Sequence, residues 1–189
     1  MGQVREIEPV RYFCGLIGGE GESLGIRACL ADVVGPVELE SELFSFDSTE
    51  YYREEMGPGL YRAFVAFGSP ADPGLLADIK LRTQVLEEER SVVVNGCRRR
   101  RINLDPGYVT PERVVLATTK DFSHRIYLGR GIYAEITMSL SGQGCLYHPW
   151  TYPDFLSGRY APFFLELRRR LLEERRRRRG DMACREVEP

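Results

Sequence analysis

The chain has 189 residues and a formal net charge of -2, and 43% of its residues are hydrophobic and 29% charged. This composition excludes collagen, coiled-coil arrays and intrinsically disordered chains. No apolar run approaches the ~18 residues of a membrane span, and the charged first residues lack the apolar stretch of a signal peptide. Five cysteines without a C-x-x-C pair favour free thiols in a reducing compartment. We therefore expect a cytoplasmic protein with no membrane partner.

The charge is divided unevenly along the chain. Residues 1–97 hold 8 basic and 17 acidic residues, a net charge of -9, whereas residues 98–189 hold 18 basic and 11 acidic residues, a net charge of +7. Either the two halves attract each other within the fold, or the second half presents a basic surface to an anionic partner. Only Lys80 and Lys120 are lysines, so 24 of the 26 basic residues are arginines.

The order of apolar stretches predicts a β-α-β-β-α-β arrangement in the first 104 residues. This order is that of a ferredoxin-like fold, an α+β architecture in which an antiparallel sheet carries helices on one face. A short helix after Asp47 is treated as an insert, and the turn residues Asp105-Pro106-Gly107 are expected to end the fourth strand. The predicted strands are 10–17, 38–46, 61–67 and 101–104, and the predicted helices are 24–34 and 73–90.

Three further elements are predicted to elaborate this unit. Thr110-Pro111 is typical of a helix start, and the predicted helix runs to about Thr118. A β-hairpin follows, and apolar residues at helical spacing then predict a terminal helix from Tyr160 to Arg179. We expect a single domain, with a core over 9–158, a basic C-terminal helix over 159–180 and a flexible tail over 181–189.

The register of the β-hairpin follows from its sequence. A three-residue loop, Gly129-Arg130-Gly131, places apolar residues opposite apolar ones and a cation opposite a carboxylate. A loop of two or four residues would pair apolar with polar residues, so we favour three. The predicted pairs are Leu128 with Ile132, Tyr127 with Tyr133, Ile126 with Ala134 and Arg125 with Glu135.

Nucleotide-binding and metal-binding motifs are incomplete in this sequence. The glycine-rich segment 15–25 lacks the Lys-Ser/Thr of a P-loop and the glycine spacing of a dinucleotide site. Thr119-Lys120-Asp121 is one residue short of the guanine-reading motif. Two histidines are too few for a zinc site without distant carboxylates, so no metal site is predicted and no cofactor is identified. The arginine runs 98–101 and 168–179 can hold phosphates or can be solvated surface charges.

Polar chemistry is densest from Thr118 to Arg125 and in the strand that follows. Such a mixture of groups suits anion binding or general acid/base work, although a polar loop would also explain it. Lys120 favours a site, because a lysine retained in an arginine-rich chain indicates a need for a compact, titratable amine. Lys80, by contrast, lies on an ordinary predicted helix. The predicted catalytic residues are Asp105, Lys120, Asp121, His124 and Glu135, and the predicted ligand-binding residues are Arg125, Tyr127, Tyr133, Trp150 and Tyr152.

Several motifs resemble those of a known family. They are Phe46-Asp47 with Tyr51-Tyr52, Glu55 to Gly59, Asn103 to Tyr108, Leu116 to Glu135, and Pro149 to Asp154. With them, the chain resembles the prokaryotic domain-of-unknown-function family numbered 4416 from Pro9 to about Leu172. The resemblance implies a protein of similar length with a D-P-G motif, here Asp105 to Gly107, and with no established activity. Some relatives carry a GTP-binding label.

Three functions remain open at this point. The leading hypothesis is a pocket for a small anionic or phosphate-bearing ligand, in which Lys120 and Arg125 neutralise the anion. The carboxylates of the predicted site would orient the ligand or act as acid and base, and its aromatic residues would form the walls. The alternative is a non-enzymatic module that binds RNA or a protein through the basic half. The third is an assembly factor that uses the proline-rich aromatic segment 148–155.

Overall fold

A large antiparallel sheet with helices packed on both faces forms the protein in the computed structural model, which describes residues 2–4, 6–47 and 52–185. The strands are β1 (Arg11–Gly18), β2 (Val37–Glu40), β3 (Phe44–Ser45), β4 (Tyr61–Phe67), β5 (Val92–Val94), β6 (Cys97–Arg99), β7 (Ile102–Val109), β8 (Arg113–Thr118), β9 (Ile126–Gly129), β10 (Ile132–Ser141) and β11 (Gly144–Tyr147). The helices are α1 (Glu20–Gly25), α2 (Arg27–Val34), α3 (Arg53–Met56), α4 (Leu76–Glu89), α5 (Pro153–Leu156) and α6 (Ala161–Arg185).

The main sheet has nine strands in the order β11-β10-β8-β7-β1-β4-β2, with β3 on β4 and β9 on β10. The pairs within it are antiparallel, and β5 and β6 form a separate two-stranded ribbon. The predicted α+β class is therefore confirmed. The ferredoxin-like arrangement is not confirmed, because the main sheet has nine strands.

Two hydrophobic cores lie on opposite faces of the sheet, because successive side chains of a strand point to opposite faces. On β1, Tyr12, Cys14 and Leu16 pack with α2 and α4 in one core. Phe13 points the other way and packs with α5 and α6 in the second core. The helices α2 and α4 therefore share one face, as expected for a ferredoxin-like unit, and α5 and α6 cover the other.

The segment predicted as a helix from Thr110 to Thr118 is instead a tight turn followed by strand β8. The Thr110 hydroxyl accepts hydrogen bonds from the Glu112 and Arg113 amides, so this threonine caps a turn and not a helix. Val114 and Leu116 face one core and Val115 and Ala117 the other. A continuous apolar run rich in β-branched residues is typical of such a strand, buried on both faces.

The β9–β10 hairpin has the predicted register at its base and a different one at its tip. Tyr127 pairs with Tyr133 and Ile126 with Ala134, as predicted, but Ile132 pairs with Gly129. The turn is therefore the two-residue Arg130-Gly131, with φ of 53° and 77°. A bulge at Leu128 absorbs the extra residue and restores the register, so the prediction of a three-residue loop is wrong.

The terminal helix α6 packs on the sheet through Phe163, Phe164, Leu167 and Leu171, which are buried. It continues to Arg185, into the segment predicted as a flexible tail, and residues 186–189 lie outside the described part of the chain. In the part that the structure describes, no helix is both long and apolar enough to span a bilayer.

Candidate functional site

A gap between two neighbouring strands creates the candidate site. Strands β7 and β8 pair only between Gly107–Val109 and Val114–Leu116. Residues 102–106 of β7 remain paired with β1, but β8 turns away from them and stays on β10. Residues 102–106 of β7 are therefore paired with a strand on one side only, although β7 lies in the middle of the sheet.

Two side chains of α4 take the place of the missing partner strand at Leu104. The Leu104 amide donates to Glu87 Oε1 at 2.6 Å, and Lys80 Nζ donates to the Leu104 carbonyl at 2.7 Å. Both side chains are buried. A buried backbone group without a partner costs about as much free energy as a lost hydrogen bond. Lys80 and Glu87 therefore allow the gap to exist without that cost.

The D-P-G motif marks the place where β7 and β8 separate. Pro106 has no N–H, and its backbone points to the same side as that of Leu104, so it cannot donate to β8. Gly107 is the first paired residue, and a Cβ there would lie 2.2 Å from the Val115 carbonyl oxygen. The prediction that residues 105–107 form a strand-ending turn is wrong, because they lie inside β7.

Arg62 of β4 forms a buried ion cluster that crosses β1. Its Nη1 donates to Asp105 Oδ2 at 3.0 Å, and its Nη2 lies 3.3 Å from Asp154 Oδ2. Strand β1 separates β4 from β7 and presents Gly15 opposite Asp105. A Cβ at Gly15 would lie 3.0 Å from Arg62 Nη1. The glycine thus leaves room for the guanidinium group to reach Asp105.

The gap opens into a cavity of about 460 Å³. This volume is within the range of small-molecule sites in proteins. Its walls come from α4, from both strands at the gap and from the segment before α5. The lining residues are Phe46, Tyr52, Arg62, Lys80, Gln84, Glu87, Arg100, Asn103, Asp105, Leu116 to Lys120, and Tyr152 to Asp154.

Several hydrogen-bond donors of the cavity wall are not used up within the protein. Asn103 is 5% exposed, and its Nδ2 has no partner with hydrogen-bond geometry among the described residues. The Tyr152 hydroxyl accepts from Arg125 Nη2 at 3.1 Å, which leaves its own proton available. Lys80 Nζ has three N–H groups, donates one to Leu104 and lies 4.0 Å from Asp105 Oδ1, beyond hydrogen-bond distance. The wall therefore offers donors to an occupant.

The two carboxyl groups of the gap, the partly exposed Asp105 and the buried Glu87, have opposite pKa shifts. Burial alone would raise the pKa of Asp105, but the charges of Arg62 and Lys80 outweigh it and hold the pKa below its usual value. Burial raises the pKa of Glu87 above its usual value, against the opposing charge of Lys80. Burial also raises the pKa of Tyr152, which keeps the hydroxyl protonated.

A second polar network surrounds Glu135 on β10, whose side chain is fully buried. Glu135 Oε2 accepts from Arg125 Nε at 2.7 Å and lies 3.2 Å from His124 Nε2. Arg125 also donates to the Lys120 carbonyl at 2.9 Å. The predicted pairing of Arg125 with Glu135 is therefore present, and this network uses most of its donors and acceptors internally.

Trp150 lies in a column of stacked rings next to this network. Its ring is 5.1 Å from those of both His124 and His148, measured between centroids, and its Nε1 donates to the Ile136 carbonyl at 2.8 Å. Interplanar angles of 11° and 16° show nearly parallel stacking. The column is partly exposed on the surface, and its rings are absent from the cavity lining.

One family model matches most of the chain. It is described as Domain of unknown function (DUF4416) and covers residues 8–171. The chain belongs to this family. No curated protein and no solved structure gives a significant match to the chain. The DUF4416 assignment confirms the family predicted from the sequence motifs, and the D-P-G motif of this member lies at the gap.

Three of the predicted site residues line the cavity, namely Asp105, Lys120 and Tyr152. The others lie outside it. His124, Arg125, Glu135 and Trp150 belong to the second network and the ring column, Tyr127 and Tyr133 form a ring pair at 5.2 Å on the hairpin, and Asp121 is exposed on the loop before it.

Sequence analysis missed most of the cavity wall, although two signals for it exist. Arg62 is the one charged residue in the otherwise buried, apolar strand Tyr61–Phe67. Lys80 and Glu87 lie seven residues apart, two helical turns, on the buried face of α4. A charge inside an apolar pattern indicates a buried partner. The description of Lys80 as a residue of an ordinary helix is therefore wrong.

The uneven charge of the two halves is partly neutralised within the fold. Several ion pairs connect an arginine of the basic half with a carboxylate of the acidic half. Arg98 and Arg99, on the exposed strand β6, form no ion pair with a described residue. The ion pairs that connect the two halves are Arg100 with Glu55, Arg101 with Glu22, Arg130 with Asp78, Arg170 with Glu38, and Arg175 with Glu8.

In the described part of the chain, no group of three or more His, Cys, Asp or Glu side chains is placed to hold a metal ion.

Proposed function

We propose that the cavity between β7 and β8 binds a small anionic ligand, such as a phosphate-bearing or carboxylate-bearing metabolite. The observation that carries this proposal is the buried amide Nδ2 of Asn103, a cavity-lining residue, which has no hydrogen-bond partner among the described residues. Buried donors are almost always satisfied in folded proteins, so an unsatisfied one at a cavity indicates a missing acceptor. An anion is the strongest acceptor available.

The charges around the cavity support the same proposal. The carboxylates of Asp105 and Asp154 are already engaged by Arg62, and Glu87 by the Leu104 amide. Their acceptor capacity is thus largely used, while donors from Lys80, Asn103 and Tyr152 remain. Lys120 lines the cavity from the exposed loop after β8 and adds a positive charge at its rim.

We assign the predicted roles to the residues that line the cavity. Lys120 neutralises the anion, Tyr152 donates to it, and Asp105 orients it through the Arg62 and Lys80 side chains. Glu87, a buried carboxyl whose pKa is raised by burial, is the group that we assign to proton exchange if the bound molecule is transformed. His124, Arg125 and Glu135 act on the ligand only through Tyr152, to which Arg125 donates. The catalytic role of Asp121, which is exposed on the loop before the hairpin, stays a prediction.

The architecture and location belong to the same proposal. Strands β7, β1, β4 and β2 are neighbours in this order, and α2 and α4 pack on the same face of the sheet, as in a ferredoxin-like unit extended at one edge. The chain works as a single domain in the cytoplasm. Free thiols at the four cysteines whose side chains are described support that compartment.

Thermal-shift screening tests the proposal directly. The panel contains inorganic phosphate, AMP, GTP and phosphorylated sugars, measured against wild type, Lys120→Ala and Asn103→Asp. We expect at least one compound to raise the Tm of wild type more than that of either variant. Asn95→Asp, the same chemical change on the exposed β5–β6 turn, is the control and responds as wild type. If no panel compound raises the Tm of wild type above that of Lys120→Ala, the proposal fails.

The prediction that the basic half binds RNA or a protein stays a prediction, and so does a role of segment 148–155 in assembly. The ion pairs between the two halves reduce the charge available for RNA. We therefore favour the small anionic ligand.

A further inference from the structure

Strand β9 is an edge strand with an exposed apolar surface. Within the described residues it pairs only with β10. Ile126, Tyr127 and Leu128 are 71%, 59% and 42% exposed, and the strand contains no charge and no proline. The free N–H and C=O groups of an edge strand invite another strand, and natural proteins limit this with charges, proline, a covering element, short strands or bulges. Of these, β9 has its length of four residues and the bulge at Leu128.

The exposed surface continues on both sides of this edge. Phe122 stacks on His124, which stacks on Trp150, and the Trp150 indole donates a hydrogen bond to the Ile136 carbonyl. Phe122 is 56% exposed, Trp150 40% and Ile136 36%. Together with β9 they expose on the order of 600 Å² of side-chain surface, against the ~800 Å² that each partner buries in a standard interface.

We propose that β9 pairs antiparallel with β9 of a second copy of this chain, about a two-fold axis at Tyr127. In this register Ile126 faces Leu128 of the second copy, and the two Tyr127 side chains face each other. The strand is therefore complementary to itself, as an isologous interface requires. A shift by one residue would exchange the two faces of the strand and lose these contacts.

The charges that flank β9 are compatible with this pairing. Arg125, before the strand, is bound to Glu135, and Arg130, after it, is bound to Asp78. Neither arginine brings an uncompensated charge to the two-fold axis, so like-charge repulsion does not oppose the dimer. An acidic or basic partner, by contrast, would find no opposite charge on Ile126–Gly129.

Light scattering during size-exclusion chromatography tests the dimer. We expect wild type to have twice the chain mass of 21.6 kDa and Ile126→Lys to have the monomer mass. Val93→Lys, which places lysine on an equally exposed position of the β5–β6 ribbon, stays dimeric. A monomeric wild type at every concentration measured, or a dimer that Ile126→Lys leaves intact, overturns the proposal.

Cross-linking tests the register. Residues directly opposite in an antiparallel pair have Cα atoms about 4.5–5.5 Å apart, within reach of a disulfide. Under oxidising conditions Tyr127→Cys therefore forms a covalent dimer well above the background of wild type. Ile126→Cys is the matched control and does not, because its partner is Leu128. Equal cross-linking of the two variants, or none by Tyr127→Cys, contradicts the proposed pairing.

Discussion

The cavity between β7 and β8 and the network around Glu135 both contain ion pairs, but they differ in how many hydrogen-bond donors remain unused. Around Glu135, the carboxylate, guanidinium and imidazole groups satisfy one another. Around the cavity, the carboxylates are engaged, while Lys80, Asn103 and Tyr152 keep N–H or O–H groups that donate to no described residue. The first network fastens a hairpin to the sheet, and the second surrounds a binding site.

The difference shows that a high density of polar residues in sequence does not by itself identify a site. The residues of the Glu135 network are close together in the chain, and the hairpin that contains them brings them into contact. Those of the cavity are far apart, from Arg62 to Asp154, and only the gap in the sheet brings them together. The four predictions that follow test this comparison, from the largest expected effect to the smallest.

Removing the central cation of the gap should have the largest effect on stability. Arg62→Leu leaves Asp154 buried without its counterion and Asp105 with only Lys80, and we expect a loss of about 3–5 kcal/mol in the free energy of unfolding. Arg101→Leu, which breaks an exposed pair with Glu22, should cost only about 0–1 kcal/mol. Urea denaturation of both variants measures the difference. Equal losses would show that the Arg62 cluster is not a structural unit.

Adding a methyl group at the point where the strands separate should be nearly as harmful. In Gly107→Ala the Cβ would overlap the Val115 carbonyl, and we expect a loss of about 3 kcal/mol. Gly142→Ala is the control, because its Cβ meets nothing within 4 Å, and its effect should be within about 0.5 kcal/mol. A Gly107→Ala protein as stable as the control would contradict the close approach of β7 and β8.

The two lysines should separate stability from binding. Lys80→Met leaves the Leu104 carbonyl buried without a donor and should cost about 1–3 kcal/mol. Lys120→Met, at an exposed position, should change stability by less than about 0.5 kcal/mol while it weakens ligand binding. Chemical denaturation and ligand titration of both variants measure the two effects. If Lys120→Met destabilises the fold as much as Lys80→Met does, the two lysines are not distinct in role.

The two carboxyl groups of the gap should affect the pH dependence of stability with opposite signs. The lowered pKa of folded Asp105 contributes stability that is present above its unfolded pKa and is lost as pH falls through the folded pKa. The raised pKa of folded Glu87 contributes stability that is present below its unfolded pKa and is lost as pH rises through the folded pKa. Asp105→Asn should therefore reduce the loss of stability in acid, and Glu87→Gln the loss at rising pH.

Denaturation over a range of pH values, with wild type and both variants, measures these slopes. Glu166→Gln is a useful comparison, because its carboxylate is held at a low pKa by Arg169 and Arg170 on the surface of α6. Its contribution is screened by salt, whereas those of the two gap residues are much less so. If both Asp105→Asn and Glu87→Gln change the slope of stability against pH in the same direction relative to wild type, the opposite pKa shifts are contradicted.

Sequence patterns predict the strands β1 and β4 and the helices α4 and α6 well. A strand buried on both faces is a continuous apolar run, and a helix that packs on a sheet repeats its apolar residues at helical spacing. Sequence patterns fail where one pattern has two explanations. Thr110-Pro111 is typical of the start of turns as well as helices. Val114 to Ala117 form a strand because they pair with the neighbouring strands β7 and β10. Gly129 to Gly131 allow two turns, and the bulge at Leu128 depends on the pairing with β10.

The candidate site depends even more on tertiary structure. The chemistry of their side chains predicts Asp105, Lys120 and Tyr152 as site residues. The gap that brings them together, by contrast, has no signature in the sequence of a single strand. Pro106 is its closest local sign, since proline is tolerated in a strand only where no hydrogen bond is required of it. The unpartnered amide of Asn103 is visible only when the distances to all its neighbours are known.

The most direct test of the anion site is the affinity of wild type and Asn103→Asp for the panel compound that stabilises wild type most. Replacing the donor with a carboxylate removes a hydrogen bond to a charged ligand, worth about 1.5–3 kcal/mol. We therefore expect Kd to rise at least tenfold, measured by titration with Trp150 fluorescence or calorimetry, with the Asn95→Asp control unchanged. An equal Kd for Asn103→Asp and wild type would contradict the account.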